Sequence, residues 1–500
     1  MRHFSKSKLT AFRQCPKRLW LEIHSSDLRV DSSGTEARFQ TGYQVGEIAR
    51  KLYDPSESGA LIDVEAQGFA EAFARSAQLL ADSRQPIFEA GLNAAGALAF
   101  ADVMLPHVEN DEVHWQMIEV KSSTSVKDYH RDDIAIQAFV AQASGVKLKS
   151  VSVAHIDSSW IYPGDADYRG LLTEADLTEE AFARTEEVRN WIAEAQHIAD
   201  QPTEPEIAVG DHCSVPFECG FCDYCHRDVV RPEFPLSLLP NFSSARRAQL
   251  AEQGVTDLRE VSDGFLTDRQ NRIKEHTLAN TVYFDAVGAK KDLAPYGFPA
   301  YFLDFESIQF AVPIWKGTRP YQQICFQFSL HILSESGILT HSAFLDLSGQ
   351  DPSESFTKAL VRICGDHGPV FVYSSAFEKD RLSDLAQRYP GLAPALLNIN
   401  YRVVDLLPIA RNRYYHPSQE GSWSIKAVLP AAVPDLSYDQ LTGVQDGGMA
   451  MEAFTEAISS DTPPDRKAEI EGQLLAYCEL DTLAMVRLWQ LFTGSEVPTQ

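Results

Sequence analysis

The spacing of apolar and polar residues divides the chain into three regions. Residues 1–231 show helical spacing, then strand-like apolar runs, then helical spacing again and a group of cysteines. Residues 232–296 follow a proline-containing segment and have a mainly helical pattern. Residues 297–494 open on an apolar strand and alternate strands with helices. The pattern predicts an α/β protein with two larger domains joined by a helical linker module.

Individual elements follow from the same spacing. Residues 86–92, 97–105 and 113–123 are apolar runs that predict strands. The charged stretch 174–201 keeps a helical period up to Pro202, where a helix has to end, so we predict one helix there.

Two acidic residues share one side of the strand that opens the third region. Asp304 and Glu306 are two residues apart, and side chains alternate along a strand, so both point the same way. Neighbouring carboxylates repel each other unless a cation lies between them, which is the arrangement of a Mg²⁺ site. Farther along, Tyr477 and Asp481 are four residues apart in an apolar helical pattern and share one helix face.

In this order and setting, the residues resemble the DEDD exonuclease superfamily, which has an RNase H-like fold of the DnaQ type. The D-x-E motif falls on Asp304 and Glu306, and the Y-x3-D motif of the tyrosine subtype falls on Tyr477 and Asp481. The resemblance implies that Asp304, Glu306 and Asp481 bind two Mg²⁺ or Mn²⁺ ions beside a scissile phosphate. It also implies that Tyr477 positions or helps to deprotonate the attacking water, and that cleavage runs 3′→5′.

The second motif of that superfamily departs from its usual form. Residues 377–382 match F-D-x3-L, but Glu378 stands where aspartate is usual. Either the longer Glu378 side chain or the nearby Asp380 would supply the ligand.

A second acidic set lies in the strands of the first region. Asp102 ends one apolar run, and Glu119 and Lys121 lie on the next strand. Two acids and a lysine at the tips of adjacent strands can hold Mg²⁺ while the lysine orients or acidifies an attacking water. Gln137 interrupts the apolar face of the following helix. The sequence therefore places a second candidate active site in the first region.

The cysteines divide into a dense group and a scattered one. A disulfide framework is not expected in a cytoplasmic chain, whereas crowded cysteines indicate a metal. The crowded residues are Cys213, Cys219, Cys222 and Cys225, and the scattered ones are Cys15, Cys325, Cys364 and Cys478.

Together, the second acidic set and the cysteines resemble the PD-(D/E)XK nucleases of the RecB type. The likeness is to the CRISPR-associated RecB-like exonucleases that carry an iron–sulfur cluster. It implies metal binding by Asp102 and Glu119, catalytic roles for Lys121 and Gln137, and a 4Fe–4S cluster tying the first helix to the end of the domain. The cluster ligands that it implies are Cys15, Cys213, Cys219 and Cys225.

The resemblance has two departures. Relatives often carry a metal-binding histidine before the glutamate of the upstream helix; here Gly46 precedes Glu47. Cys222 is surplus, which leaves open a tetrahedral Zn²⁺ site with Cys15 in the core, because both metals accept four thiolates. That site would be formed by Cys213, Cys219, Cys222 and Cys225.

Net charge limits how nucleic acid could bind. A formal charge of −26 argues against a protein that coats nucleic acid with its whole surface, but not against a local groove. The first twenty residues are basic and contain no acid; a solvated helix face is the simplest interpretation. Its basic residues are Arg2, Lys6, Lys8, Arg13, Lys17 and Arg18. Because there is no signal-peptide pattern and no apolar run of about 20 residues, we expect a cytoplasmic chain without a membrane partner.

Over nearly its whole length, the chain resembles bacterial proteins of unassigned function that fuse these two nuclease modules. We expect a metal-dependent nuclease, with DNA more favoured than RNA as substrate and the C-terminal site acting on single-stranded ends. The alternatives are a nucleic-acid-binding or scaffold protein with inactive modules, and an RNA-processing exonuclease. Polar residues that could contact phosphates or bases are Arg319, Gln322, Gln323, Ser422 and Lys426.

Overall fold

The fold is mixed α/β, and the chain forms two compact units. The computed structural model describes residues 2–31, 33–227 and 232–495. Unit 1 comprises Met1–Val229 and Phe310–Gln322, and unit 2 comprises Val230–Gln309 and Gln323–Gln500. The domain boundary expected at Arg231 lies outside the described residues.

Unit 1 is built on one seven-stranded sheet with the order β2-β3-β4-β5-β6-β7, in which β1 lies beside β4. The strands are β1 Phe4–Ser5, β2 Ala60–Leu61, β3 Ile87–Ala94, β4 Ala97–Glu109, β5 Glu112–Lys121, β6 Leu148–Ile156 and β7 Leu172–Asp176. The helices are α1 Lys6–Gln14, α2 Pro16–His24, α3 Ser33–Tyr53, α4 Val64–Gln67, α5 Phe69–Asp82, α6 Asp128–Ala143, α7 Thr178–Ala183, α8 Thr185–Ala199 and α9 Cys222–His226.

Two tight hairpins fix the centre of this sheet. Ala95 and Gly96 join β3 to β4, and both have positive φ angles, of 50° and 82°. Asn110 and Asp111 join β4 to β5 in the same way, with φ angles of 49° and 65°. Two-residue turns with positive φ match the twist of the flanking strands, so they set the register of all three strands. The predicted strands at 86–92, 97–105 and 113–123 correspond to β3, β4 and β5.

The single helix predicted over 174–201 is wrong at its start. Residues up to Asp176 belong to β7, which pairs antiparallel with β6. Two helices, α7 and α8, follow it, and the chain breaks its helical course at Arg184 (φ −91°, ψ 9°). The long-range pairing with β6 overrides the local helical pattern.

A short segment from later in the chain completes unit 1. Residues 310–322 hydrogen-bond to it through Thr318, whose carbonyl oxygen accepts from the Tyr162 N–H at 2.9 Å. The Gly317 N–H donates back to the Tyr162 carbonyl at 2.8 Å, and the Tyr321 hydroxyl donates to the carbonyl oxygen of Ser122. Unit 1 is therefore discontinuous in sequence.

Unit 2 contains a five-stranded sheet with the order β11-β10-β9-β12-β13 and a two-stranded sheet of β14 and β8. In the larger sheet β10 runs antiparallel to its two neighbours, while β12 runs parallel to β9 and β13. The strands are β8 Tyr283–Phe284, β9 Ala300–Ile308, β10 Ile324–Leu333, β11 Leu339–Leu345, β12 Val370–Val372, β13 Val403–Asp405 and β14 Tyr414–Tyr415. The helices are α10 Ser244–Glu252, α11 Asp268–Ala279, α12 Ala286–Leu293, α13 Ser353–Cys364, α14 Ala376–Arg388, α15 Ala393–Arg402, α16 Leu407–Arg413, α17 Ile425–Ala432, α18 Gly447–Ile458 and α19 Pro464–Thr493.

Strand β9 separates two hydrophobic clusters in unit 2. Phe302 belongs to the cluster that includes Trp489 of α19, whereas Leu303 and Phe305 belong to the cluster on the other side. Because side chains alternate, the even-numbered residues of β9 face α19. This alternation directs Asp304 toward the helix that carries Tyr477.

Residues 232–296, expected as a helical linker module, contribute directly to the core of unit 2. Leu258, Ile273 and Leu293 are buried in the same cluster as Phe302 and Trp489. The segment therefore covers one face of the larger sheet. None of the described helices combines the length and apolarity needed to cross a bilayer.

Candidate functional site

Three carboxylates converge between β9 and α19 in unit 2. One ligand oxygen from each of Asp304, Glu306 and Asp481 lies within 4.8 Å of the other two. Asp304 is partly buried, and Glu306 and Asp481 are buried. Asp304 and Glu306 share one side of β9 by strand alternation, and the fold brings Asp481 of α19 to that side. A set of three hard oxygen donors fits a divalent cation such as Mg²⁺ or Mn²⁺.

The pKa values of these three carboxyl groups are raised, mainly by burial. Burial, followed by the charges of Asp481 and Glu306, raises the pKa of Asp304 well above its ordinary value. Burial and the charge of Asp481 raise the pKa of Glu306 to about 8. Burial raises the pKa of Asp481 to about 6, although hydrogen bonds to it act in the opposite direction. Without a cation the site holds protons at neutral pH, which is the behaviour of a site built for a positive charge.

Two tyrosines and a lysine surround Asp481. The Tyr438 hydroxyl donates a hydrogen bond to Asp481 Oδ1, and the Tyr477 hydroxyl also bonds to this carboxylate. Lys426 Nζ lies 5.4 Å from the ring centre of Tyr438 and 5.2 Å from that of Tyr477. The Lys426 charge also lowers the pKa of Glu306, against the effect of burial. Lys426 thus brings a cation to a cluster of acids.

Glu378, the residue that departs from the expected motif, lies at the start of α14 and is buried. Its Oε2 atom has no hydrogen-bond partner among residues 2–31, 33–227 and 232–495. Burial raises the pKa of Glu378 to about 7, and its charge in turn raises the pKa of Asp304. Asp380, the alternative, is exposed. Its burial and its electrostatic effect on Asp304 favour Glu378 over Asp380 as the fourth acid.

Tyr438 and Cys478 are two neighbours of this site that the sequence did not reveal. Tyr438 begins a 3₁₀ helix of three residues, which is too short to give a periodic signal, so only the folded chain brings it to Asp481. Cys478 follows Tyr477 directly, and its Sγ lies 3.7 Å from Asp304 Oδ2. Its position directly after Tyr477 was the sequence feature that could have identified Cys478.

The second acidic set lies in unit 1, where β4 and β5 diverge. Their paired register stops at Val103 and Ile118, and just beyond it Asp102 Oδ2 accepts a hydrogen bond of 2.6 Å from the Val120 N–H. Lys121 Nζ lies 2.6 Å from Glu119 Oε1. The structure therefore brings Asp102, Glu119 and Lys121 together but corrects one expectation. Glu119 and Lys121 lie at the end of β5, whereas Asp102 lies within β4, because that strand continues to Glu109.

Helix α6 adds two residues to this second set. Gln137 Nε2 donates to Glu119 Oε2 at 2.6 Å, while its own Oε1 has no hydrogen-bond partner in the described part of the chain. Asp133, four residues earlier and unpredicted, accepts from Lys121 Nζ at 2.6 Å. The spacing of four residues before Gln137 was the signal that could have identified Asp133.

Charge balance in this set differs from that in unit 2. Burial alone would raise the pKa of Glu119, but the ammonium groups of Lys121 and Lys6 hold it below its ordinary value. Burial and the charge of Glu119 raise the pKa of Asp102 well above its ordinary value. Glu89, also unpredicted, has its pKa raised by burial and by Glu119. Two lysines thus partly neutralise these acids, whereas Lys426 is the cation that lowers the pKa of Glu306 and Asp481 in unit 2.

Gly46 lies in α3, and a Cβ atom placed on it would meet no atom within 4 Å. Its neighbour Glu47 is exposed and lies 3.6 Å from Arg50. Gly46 therefore offers no side-chain ligand where relatives often have a metal-binding histidine.

Five cysteines line one small cavity of unit 1. The Cys15 side chain at the junction of α1 and α2 meets the four from the later segment. The later residues are Cys213, Cys219, Cys222 and Cys225. Burial raises the pKa of Cys225 to about 11, and the charges of Cys219, Cys213 and Cys15 act in the same direction. Thiols from two distant segments thus line one cavity, although among the described residues no three of their sulfur atoms all lie within 4.8 Å of one another.

The polar residues proposed to contact nucleic acid have different surroundings. Lys426 is at the carboxylate site, whereas Ser422 is exposed. Gln323 Oε1 accepts from the Ser307 hydroxyl at 2.6 Å. Arg319 is exposed, and its N–H donates to Gln322 Oε1 at 2.9 Å.

Comparison with known proteins adds one match. The model of a domain family of unknown function, DUF2779, matches residues 301–424. The matched segment includes Asp304, Glu306 and Glu378 but ends before Tyr477 and Asp481. No curated protein matches the chain.

Proposed function

We propose that this chain is a metal-dependent nuclease that hydrolyses phosphodiester bonds at the carboxylate site of unit 2. The observation that carries the proposal is the convergence of Asp304, Glu306 and Asp481 within 4.8 Å. A purely structural cluster of two buried acids and one partly buried acid would be destabilising, because their charges repel and are poorly solvated. A catalytic site accepts that penalty in order to bind cations.

The surrounding residues have roles consistent with phosphodiester hydrolysis. A bound divalent cation would polarise the phosphate and lower the pKa of the attacking water. Asp304, Glu306 and Asp481 would hold the cation, with Glu378 as a further acid at the same site. Tyr477 would orient the water through its hydroxyl group. Lys426 would offset the negative charge of the phosphate.

Sheet topology supports an RNase H-like fold of the DnaQ type for unit 2. Its order is β11-β10-β9-β12-β13, and β10 alone runs against the other four strands. In this arrangement β9 is central and carries the D-x-E pair, as the resemblance requires. The DEDD assignment therefore rests on topology and on the site residues together.

For unit 1 we propose a PD-(D/E)XK nuclease module with a 4Fe–4S cluster. Asp102, Glu119, Lys121 and Gln137 share one hydrogen-bonded region, which supports the first part. The second part is supported by Cys15, which lines the cysteine cavity rather than lying apart in the core as the zinc alternative requires. Cys213, Cys219 and Cys225 would complete the ligand set, leaving Cys222 as the surplus thiol.

We propose DNA as the substrate, with 3′→5′ removal of nucleotides from single-stranded ends. The test is incubation of the anaerobically purified chain with end-labelled single- and double-stranded DNA and RNA in Mg²⁺ or Mn²⁺. Asp304→Asn should lower the rate at least about a thousandfold if this site is the main one. Lys121→Ala should leave most of the activity.

Each outcome of this test has a definite meaning. Degradation of no substrate by the unaltered chain would refute the enzyme and leave the nucleic-acid-binding alternative. Preference for RNA would replace the DNA assignment. Loss of activity in Lys121→Ala alone would move the main site to unit 1. Iron and acid-labile sulfide should accompany the protein, and stoichiometric zinc would overturn the cluster assignment.

A further inference from the structure

Lys6 lies in the carboxylate site of unit 1, although it is 113 residues away from Glu119 in sequence. Its Nζ is 2.7 Å from Glu119 Oε1 and 3.5 Å from Asp133 Oδ1. Lys121 contacts the same two carboxylates, each at 2.6 Å. The Lys6 and Lys121 side chains are 24% and 22% exposed, so they are shielded to a similar degree. Two lysines from different elements therefore hold one carboxylate pair.

Helix α1, which carries Lys6, is anchored to the segment that contains the crowded cysteines. Leu9 is fully buried in the core of unit 1. At the end of the helix, Gln14 Nε2 donates to the carbonyl oxygens of His212 at 2.8 Å and Phe217 at 2.7 Å. The next residue, Cys15, lines the cysteine cavity.

This anchoring determines where the ammonium group can lie. With a rise of about 1.5 Å per residue, α1 places the backbone of Lys6 about 14 Å from that of Cys15. A helix this short depends on the packing of its buried face for its stability, so its anchored end also fixes its first turn. The position of Lys6 is thereby linked to the cysteine segment.

We propose that Lys6 is a positioning residue of the unit 1 site, held there by α1 and by the cysteine segment. The proposal rests on the function proposed for that site. Lys6 keeps Glu119 and Asp133 close together by offsetting their repulsion. Without its ammonium group the site becomes more negative and its carboxylates separate. A divalent cation then binds more tightly, while the carboxylates are less well placed for turnover.

The test uses the full chain with Asp304→Asn and Asp481→Asn, which weaken the cation site of unit 2. In this background, Lys6→Met, Lys6→Arg and Lys8→Met are compared. Mn²⁺ affinity is measured by electron paramagnetic resonance, and hydrolysis of end-labelled single-stranded DNA is measured in parallel. Glu119→Gln, which should lose Mn²⁺, identifies the unit 1 signal.

Lys6→Met should bind Mn²⁺ about tenfold more tightly and have a kcat lowered about tenfold or more. Lys6→Arg keeps the charge and should recover most of both values. Lys8→Met, a change on the same helix, should match the background chain. Opposite changes in affinity and kcat distinguish positioning from simple damage to the fold.

Three results would overturn the proposal. Weaker Mn²⁺ binding by Lys6→Met together with a lower melting temperature would indicate a purely structural role. Unchanged affinity and kcat would remove Lys6 from the site. Failure of the background chain to bind any Mn²⁺ that Glu119→Gln removes would show that these carboxylates hold no cation. Tighter Mn²⁺ binding without DNA hydrolysis in any variant supports the role of Lys6 but refutes the nuclease function proposed for unit 1.

Discussion

At the scale of single residues, Glu378 is the most informative member of the unit 2 site. It is buried, and its Oε2 atom is without a hydrogen-bond partner among the described residues. A buried carboxylate without a partner is unfavourable unless a ligand supplies one. The charge of Glu378 also raises the pKa of Asp304 and of Glu306, so this carboxylate acts electrostatically on the site.

The variants Glu378→Gln and Glu378→Asp test separately the charge and the length of this side chain. Gln retains the length but loses the charge, so nuclease activity should fall about a hundredfold or more. Asp retains the charge but is shorter, so activity should fall less. Rates on single-stranded DNA at saturating Mn²⁺ provide the measurement, with exposed Asp380→Asn as the control. Full activity in Glu378→Gln would exclude this side chain as a ligand.

The raised pKa of Glu306 predicts how stability depends on pH. Burial and the charge of Asp481 raise the pKa of Glu306 to about 8 in the folded chain, from an ordinary value of 4.5. Between these values the folded state binds a proton that the unfolded state has released. The free energy of unfolding without metal should therefore fall as pH rises from about 5 to about 8.

Urea unfolding with a chelator tests this prediction through Glu306→Gln. The variant lacks the titrating group, so its stability relative to the unaltered chain should improve steadily across that pH range. A relative stability that stays constant, or that declines toward alkaline pH, would contradict the raised pKa of Glu306.

Sequence spacing alone paired residues that are close in sequence, whereas the grouping of distant residues, such as Asp304 with Asp481, was expected only from the family resemblances. Asp304 and Glu306 follow from strand alternation, and Tyr477 and Asp481 follow from one helix turn. Tyr438 bonds to Asp481 from 43 residues away, and no local pattern encodes that contact. A solvated helix face was the simplest interpretation for Lys6, because its contact with Glu119 spans 113 residues. Such contacts depend on the tertiary fold, which a one-dimensional pattern does not specify.

At the scale of elements, α19 links the unit 2 site to the core. It carries Tyr477 and Asp481 near its middle and the buried residues Leu488, Trp489 and Phe492 near its end. The helix was predictable because its apolar positions keep one period. The strand β7 was not, because its sequence also fits a helix and only pairing with β6 decides the outcome.

Leu488→Ala should destabilise unit 2 by about 2–5 kcal/mol, because it leaves a cavity in a fully packed cluster. Glu471→Ala on the exposed side of the same helix should change stability by less than about 0.5 kcal/mol. Urea unfolding followed by tryptophan fluorescence measures both. Equal effects would mean that α19 does not pack as described.

At the scale of the whole molecule, net charge should govern the encounter with substrate. A chain with a formal charge of −26 repels nucleic acid at long range, and salt screens that repulsion over about 10 Å at 0.1 M. We therefore expect kcat/KM on single-stranded DNA to rise or stay level as salt increases from about 20 to about 100 mM at fixed Mg²⁺. A steep fall, as for proteins that bind through many phosphate contacts, would contradict this expectation.

The discontinuity of unit 1 has a consequence for its synthesis. Residues 310–322 supply Thr318 and Tyr321, which hydrogen-bond to Tyr162 and to Ser122, the residue directly after Lys121. A ribosome translates these residues only after β8, α12 and the D-x-E strand of unit 2 have been made. The nascent unit 1 therefore waits, with the neighbourhood of Lys121 incomplete, until more than half of the chain has been made. Folding on the ribosome cannot proceed strictly one unit after the other.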